Sequence, residues 1–371
     1  MTATPSDAAA ACPPVGRLAP SPTGVLHIGN ARSLLLAWLS ARSRGGKVLL
    51  RVEDLIPGQP EFVISLLRDL RYLGLDWDAP PDCEGVCQVA DFVDMDGDLP
   101  PFILQSERHR AYNRVLGRLA DAGLVYPCVC TRREIEAAVR APHAEDHGAA
   151  YPGTCRGRFV NMKTAIAFEA SRAQRAGRKP VGVAMRLRVP DDPLVFVDQL
   201  HGTVTVSLPE DCGDFVIQRK DGAFAYMLAV VVDDLAMGVT EVVRGDDLLD
   251  CTGQQLALYQ AIARHGVQTD LAAVVDRPPP DWVHVPLVYG DEGRRLAKRD
   301  RSLHVQTLQE MGVPGSAVRR WLAGSLGLPD SDDPAELAAH FSWAAMPRGP
   351  AVFGAAELAG LCDVPRSAAP S

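Results

Sequence analysis

Residues 17–30 read "RLAPSPTGVLHIGN", and the reading of this stretch decides the fold. The segment up to Ala19 fits a β-strand. Pro20 and Pro22 end it, because proline donates nothing to a β-ladder. Gly24 permits a tight turn. From Ile28 the text turns helical, with apolar residues at helical spacing until Gly45-Gly46 stops it. A strand, a tight loop and a helix start follow one another, and that arrangement points free backbone N–H groups at whatever occupies the loop. Anions bind at such places.

Working outward, "GKVLLRVEDL" (46–55) is a second short strand that ends in Glu53 and Asp54. Acids at the carboxyl end of a strand belong at the ligand edge of an open parallel sheet. Residues 61–74 form an amphipathic helix, and 78–101 an acidic, proline-rich loop with Cys83 and Cys87. A helix follows up to Gly123, then a cysteine-rich stretch. From 180 to 207 the pattern is β with turns. In 214–250 strands flank a Lys-Asp-Gly turn, then comes a helix or a buried strand, then a strand ending at Arg244-Gly245. A further helix spans "TGQQLALYQAIARHG", and after Thr307 short helices alternate with Pro and Gly.

The 371 residues allow two or three domains, and 47% hydrophobic content supports a real core. No apolar run is long enough to span a membrane. The first 14 residues carry no basic or apolar targeting signature and read as a disordered tail. Nine scattered cysteines suit a reducing cytoplasm, with free thiols or a metal rather than a disulfide frame. The net charge of −8 argues against a broad nucleic-acid-binding surface, while leaving room for a local basic face. Cys128, Cys130 and Cys155 are three thiols that can converge on one soft divalent ion. By spacing, His143, His147 and Tyr151 all qualify as the fourth ligand.

Taken together, these segments resemble the class I glutamyl-tRNA synthetases. "HIGN" stands for the HIGH tetrapeptide and "RLAKR" (295–299) for the KMSKS loop. "RVED" and the long run from Phe224 to Tyr259 fall between them in the family's order, and "APSPTG" has the glutamate-enzyme form. The resemblance covers about residues 14–305. It implies an α/β fold: a Rossmann-like class I catalytic core whose first half is 15–125, a zinc-binding insert (126–160), and then the remainder of the insert with the second catalytic half (161–265). Residues 266–371 would hold the KMSKS-like loop and a short helical region. Only 66 residues follow Val305, so a helical appendage is expected there and no anticodon-binding domain. The cysteine pattern with Tyr151 resembles the zinc site of the truncated branch of the family, the glutamyl-Q tRNA(Asp) synthetases. That nominates Cys128, Cys130, Tyr151 and Cys155 as ligands of one Zn2+.

The resemblance also implies the chemistry. L-glutamate is activated by ATP, with Mg2+, to glutamyl-adenylate and transferred to queuosine in the anticodon loop of tRNA(Asp) by a cytoplasmic, monomeric ligase. Two alternatives are a shortened glutamyl-tRNA synthetase that charges the 3′ end of tRNA(Glu), and a nucleotide-binding paralogue without catalysis. Arg17, Leu18, Ala19, Pro20, Ser21, Glu53, Tyr226 and Arg244 would surround glutamate. Guanidinium forks suit its carboxylates, and Glu53 suits its ammonium. His27, Gly29, Asn30 and Lys298 would meet ATP, with His27, Asn30 and Lys298 catalytic. The family pattern is departed from at Asn30, where the fourth HIGH residue is His, and at Arg295 and Ala297 in the second loop.

Overall fold

Alternation in and out of a sheet, with proline at its end, produces the first strand, β1 (Val15–Leu18), in a computed structural model of the chain. The structure describes residues 12–22, 24–55, 60–92, 98–139, 150–265, 277–290 and 304–362. β1 leads through the quoted loop into α1 (Ile28–Arg42), then β2 (Lys47–Val52), α2 (Pro60–Tyr72), β3 (Val86–Cys87), β4 (Phe102–Leu104) and α3 (His109–Asp121). The cysteine-rich region contributes β5 (Val125–Cys128), α4 (Arg132–Val139), α5 (Met162–Arg175) and β6 (Ala184–Leu187). Next come β7 (Leu194–Asp198), β8 (Gly202–Val206), α6 (Leu208–Asp211), β9 (Val216–Gln218), α7 (Tyr226–Met237), β10 (Glu241–Gly245), α8 (Thr252–Arg264), β11 (Asp281–Val285) and β12 (Val288–Tyr289). The chain continues with α9 (Val305–Glu310), α10 (Gly315–Gly324), α11 (Pro334–His340), β13 (Ala351–Val352) and α12 (Ala355–Cys362).

Two sheets carry the two halves of the core. One has the order β1-β2-β4-β3, with β1, β2 and β4 parallel; the other has β10-β11-β7-β8, with β10, β11 and β7 parallel. They meet at β1 and β10, where the Thr240 amide donates to the Val15 carbonyl and the Val15 amide to Thr240 Oγ1, both at 2.9 Å. The carboxyl ends of β1, β2, β10 and β11 therefore open on one crevice, where an open α/β sheet binds its ligands. A third sheet, β5-β6-β9, is antiparallel and belongs to the insert.

Residues 226–237 settle as a helix. This is α7, apolar around almost its whole circumference and therefore central. Gly238, at φ +69°, closes it in the left-handed conformation that only glycine adopts without strain. Asp233 and Asp234 are buried on this helix against Arg108 and Arg51. The C-terminal helices are not a separate appendage: Val305, Leu308, Leu322 and Leu337 share one hydrophobic cluster with Leu35, Leu39 and Val52.

Candidate active site

The crevice encloses about 510 Å³ and is lined by Arg17, Ala19, Pro20, Ser21, His27, Gly29, Asn30, Glu53, Tyr226 and Arg244, with Asp247, Leu287 and Val288. Leu18 does not line the crevice: its side chain is fully buried in the core, because successive residues of β1 face opposite sides of the sheet, and Arg17 takes the crevice side. The Glu53 amide donates to the Pro20 carbonyl at 3.0 Å, tying the loop after β1 to the end of β2.

Arg17 spends one N–H on the Val243 carbonyl (3.2 Å), and its Nε lies 3.7 Å from Asp234. The outer edge of its guanidinium remains for a ligand. Arg51 holds Glu53 Oε1 at 2.9 Å. Burial raises the Glu53 pKa, and the charges of Arg51 and Arg17 oppose that shift. Tyr226 opens α7 beside Glu53; its phenol is pushed up to about 12 by burial and by that carboxylate.

Arg244 is more heavily committed than the sequence implied. Nε donates to His284 Nε2 (3.0 Å), Nη1 to Gln255 Oε1 (2.9 Å), and Nη2 to Thr252 Oγ1 (2.8 Å) and the Leu248 carbonyl (3.3 Å). One N–H is left for a ligand in this arrangement, a single contact rather than a fork. His284 in turn gives Nδ1–H to Asp198 Oδ2 at 2.7 Å. Asp198, His284, Thr252 and Gln255 went unnoticed in the sequence. Only the strand "HVPLVYG" signalled part of this, since it carries His284, Leu287 and Val288 to the crevice. A Cβ at Gly245 would lie 2.7 Å from Asp247 Oδ1 and 2.8 Å from Leu287 Cδ2, so both side-chain ends would have to shift to admit one.

On the other side of the crevice His27 is the N-cap of α1, and its Nδ1 accepts the Gly29 amide at 3.1 Å. That bond places the imidazole proton on Nε2. It also occupies one amide of the helix start, and the Ala31 amide donates to the His27 carbonyl at 2.9 Å, so beyond Gly29 the Asn30 N–H is the one a phosphate would meet. Asn30 is exposed at the mouth. His304 packs edge-on against His27 with ring centroids 5.8 Å apart, and the Val305 amide donates to the Leu26 carbonyl at 2.9 Å. Lys298, with Arg295 and Ala297, lies outside the described residues.

A second cluster sits in the insert. The sulfurs of Cys128, Cys130 and Cys155 lie within 4.8 Å of one another. Tyr151 Oη is 3.4 Å from Cys128 Sγ and 3.6 Å from Cys130 Sγ, and Cys130 Sγ is 3.5 Å from Cys155 Sγ. Thiolates around one tetrahedral zinc stand about 3.8 Å apart, so these four groups fit such an ion. Hydrogen bonds from Cys130 and Cys155 hold the Cys128 thiol far below its ordinary pKa. The Arg186 guanidinium lies 3.7 Å from the Tyr151 ring centroid. His143 and His147, the other candidates by spacing, lie outside the described residues.

Comparison with known proteins agrees with this geometry. Residues 15–335 match the family model of the class I tRNA synthetases (E and Q), catalytic domain. The chain is 46% identical over 342 residues to the glutamyl-Q tRNA(Asp) synthetase of Nitratidesulfovibrio vulgaris, covering 91% of this chain and 94% of that protein. It is 43% identical over 337 residues to the enzyme of the same name from Nocardia farcinica, covering 90% and 91%. A crystal structure of a glutamate tRNA ligase from Elizabethkingia meningosepticum, in complex with its amino acid, superposes with a TM-score of 0.69 at 22% identity, over 94% of this chain and 68% of that one. Parallel half-sheets meeting at β1 and β10, with the "HIGN" loop at the junction, are thus the catalytic fold of a class I synthetase, and the chain is a ligase that belongs to the glutamyl-Q tRNA(Asp) synthetase branch of that family.

Proposed function

We propose that the crevice activates L-glutamate with ATP and that the product is the glutamyl ester of queuosine in the anticodon loop of tRNA(Asp). What supports the first half is the pairing of Arg17 and Arg244 with Glu53 in a crevice that also holds the start of α1. Glutamate brings two carboxylates and one ammonium. Arg17 receives a carboxylate on its free edge, Arg244 adds its one remaining N–H, and Glu53 meets the ammonium. Tyr226 contributes a hydroxyl contact.

In the first step an α-carboxylate oxygen attacks the α-phosphorus of ATP. A new P–O bond forms, the bond to the β-phosphate bridging oxygen breaks, and pyrophosphate leaves. The work is positioning and charge stabilisation. His27 Nε2–H, the Asn30 side-chain amide and the Asn30 backbone N–H bind phosphate oxygens, and Lys298 neutralises charge on the leaving pyrophosphate. Mg2+ enters as part of the ATP substrate. In the second step a hydroxyl of the cyclopentene diol attacks the acyl carbon, an ester forms, and AMP leaves. A modified base in a single-stranded loop can be splayed out to be reached in this way. Cys128, Cys130, Tyr151 and Cys155 would hold one Zn2+, which would pin an insert whose own hydrophobic cluster is small.

The names of the relatives support the tRNA half of this reading. It is tested by offering radiolabelled glutamate to tRNA from queuosine-competent and queuosine-deficient cells. Label confined to the competent pool and resistant to 3′-end removal is expected. Equal labelling of both pools at the 3′ terminus would overturn it in favour of ordinary aminoacylation, and absence of glutamate-dependent pyrophosphate exchange would remove the enzymatic reading.

A further inference from the structure

We propose that Asp234 is a positioning residue for glutamate, setting a cation and an anion of the crevice at once; this rests on the reading that the crevice binds glutamate. Asp234 lies on α7, 2% exposed, and does not line the crevice itself. Its Oδ1 accepts Arg51 Nη1 at 2.5 Å and lies 3.7 Å from Arg17 Nε. Tyr259 Oη approaches its Oδ2 at 3.4 Å. The other arm of Arg51 reaches Glu53 Oε1 at 2.9 Å. One carboxylate therefore attracts Arg17 across 3.7 Å and holds Glu53 through Arg51.

Charge explains why an acid is needed there. Arg17, Arg51 and Arg108 balance Glu53, Asp233 and Asp234, three against three. Without Asp234, Glu53 is the nearest anion for Arg17 and Arg51. A carboxylate held by two arginines has little left to offer an ammonium, and an Arg17 drawn toward Glu53 no longer presents its free edge to a ligand carboxylate. Stability alone is a poor reason to keep such a group, since buried ion pairs seldom exceed an apolar replacement.

The neighbouring acid makes the contrast. Asp233 has the same burial, but its oxygens take Gln105 Nε2 (2.6 Å), Arg108 Nε (2.5 Å) and Tyr112 Oη (3.0 Å). Successive helix positions diverge by about 100°. Asp233 therefore spends its hydrogen bonds fastening α7 to α3 and the loop before it and reaches Arg51 only at 3.9 Å, while Asp234 hydrogen-bonds Arg51 and faces the crevice residues.

The experiment is glutamate-dependent ATP–pyrophosphate exchange with D234N, E53Q and the double variant. D234N is expected to raise the glutamate constant about tenfold or more and to leave the ATP constant within about twofold, and E53Q is expected to have a smaller effect in the D234N background than alone. A wild-type glutamate constant in D234N, an equal rise for ATP and glutamate, or additive effects of the two substitutions would each overturn the proposal. If D234N does not fold, R51K is read in the same way, because one ammonium cannot span Asp234 and Glu53 as the guanidinium does. If the wild-type protein itself shows no glutamate-dependent exchange, it is the underlying glutamate reading that fails.

Discussion

Arg244 Nε sits 3.0 Å from Nε2 of His284, and that nitrogen carries no proton. The opposite ring nitrogen gives its proton to Asp198, and burial lowers the imidazole pKa from its ordinary 6.5. A neutral histidine is thus built in as the acceptor that orients a crevice arginine.

His284→Ala removes that acceptor from a buried cation. Glutamate binding is expected to weaken by about 1.5–3 kcal/mol, the worth of a hydrogen bond to a charged group, with the ATP constant little changed. The sign with pH follows from the lowered value. The contribution to stability is full above 6.5, where folded and unfolded forms are both neutral, and is lost as pH falls from there toward the lowered folded value. Denaturant titrations between pH 7.5 and about 5 should show this slope in the wild type and a shallower one in the variant.

Arg17→Ala and Lys298→Ala should separate binding from chemistry. The first leaves Asp234 short of a partner and the ligand carboxylate unmatched, with a loss of about 2–5 kcal/mol in glutamate binding. The second lowers the rate of adenylate formation and leaves glutamate affinity nearly unchanged. Equal effects of both on glutamate affinity would contradict the assigned roles.

One zinc per chain is expected by elemental analysis of protein prepared without added metal. Chelation should increase hydrogen exchange around Cys128–Cys155 and in β5 and β6 before it reaches β1 or β10. Full activity of Cys130→Ser without bound metal would show the cysteines to be incidental.

Asp69 makes a stability prediction away from the crevice. It is 2% exposed, accepts from Gln309 Nε2 at 2.8 Å, and its pKa is raised to about 7 by burial. A raised carboxyl pKa favours the folded state at low pH, and that contribution is lost as pH rises from 3.8 through about 7. Asp69→Asn should therefore stabilise the protein by about 1–2 kcal/mol at pH 8.5 and by much less at pH 5.

The positions of Arg17, His27, Glu53 and Arg244 were legible because strand ends, proline stops and an N-cap leave local marks. Leu18 stays out of the crevice lining because a motif runs consecutively while a strand alternates. Asp198 and His284 left no mark: they lie 86 residues apart and meet only through the pairing of β7 with β11. The reach of Asp234 to Arg51, 183 residues away, was equally silent. α7 was ambiguous in the sequence because an element apolar on every side shows no period.

The backbone bond from Val305 to Leu26, one residue ahead of the N-cap histidine, makes the last helices a splint for the α1 side of the crevice. Arg32 tightens it from within α1, donating to the Pro286 carbonyl at 2.9 Å and to Ser325 Oγ at 3.2 Å. Trp343 Nε1 reaches Ser40 Oγ at 3.0 Å near the far end of the same helix. A chain cut at residue 304 would strip apolar surface from one whole side of α1 and free the turn that carries His27. Grafting this crevice onto another RNA-binding module would therefore have to carry residues 305–343 along with the two half-sheets.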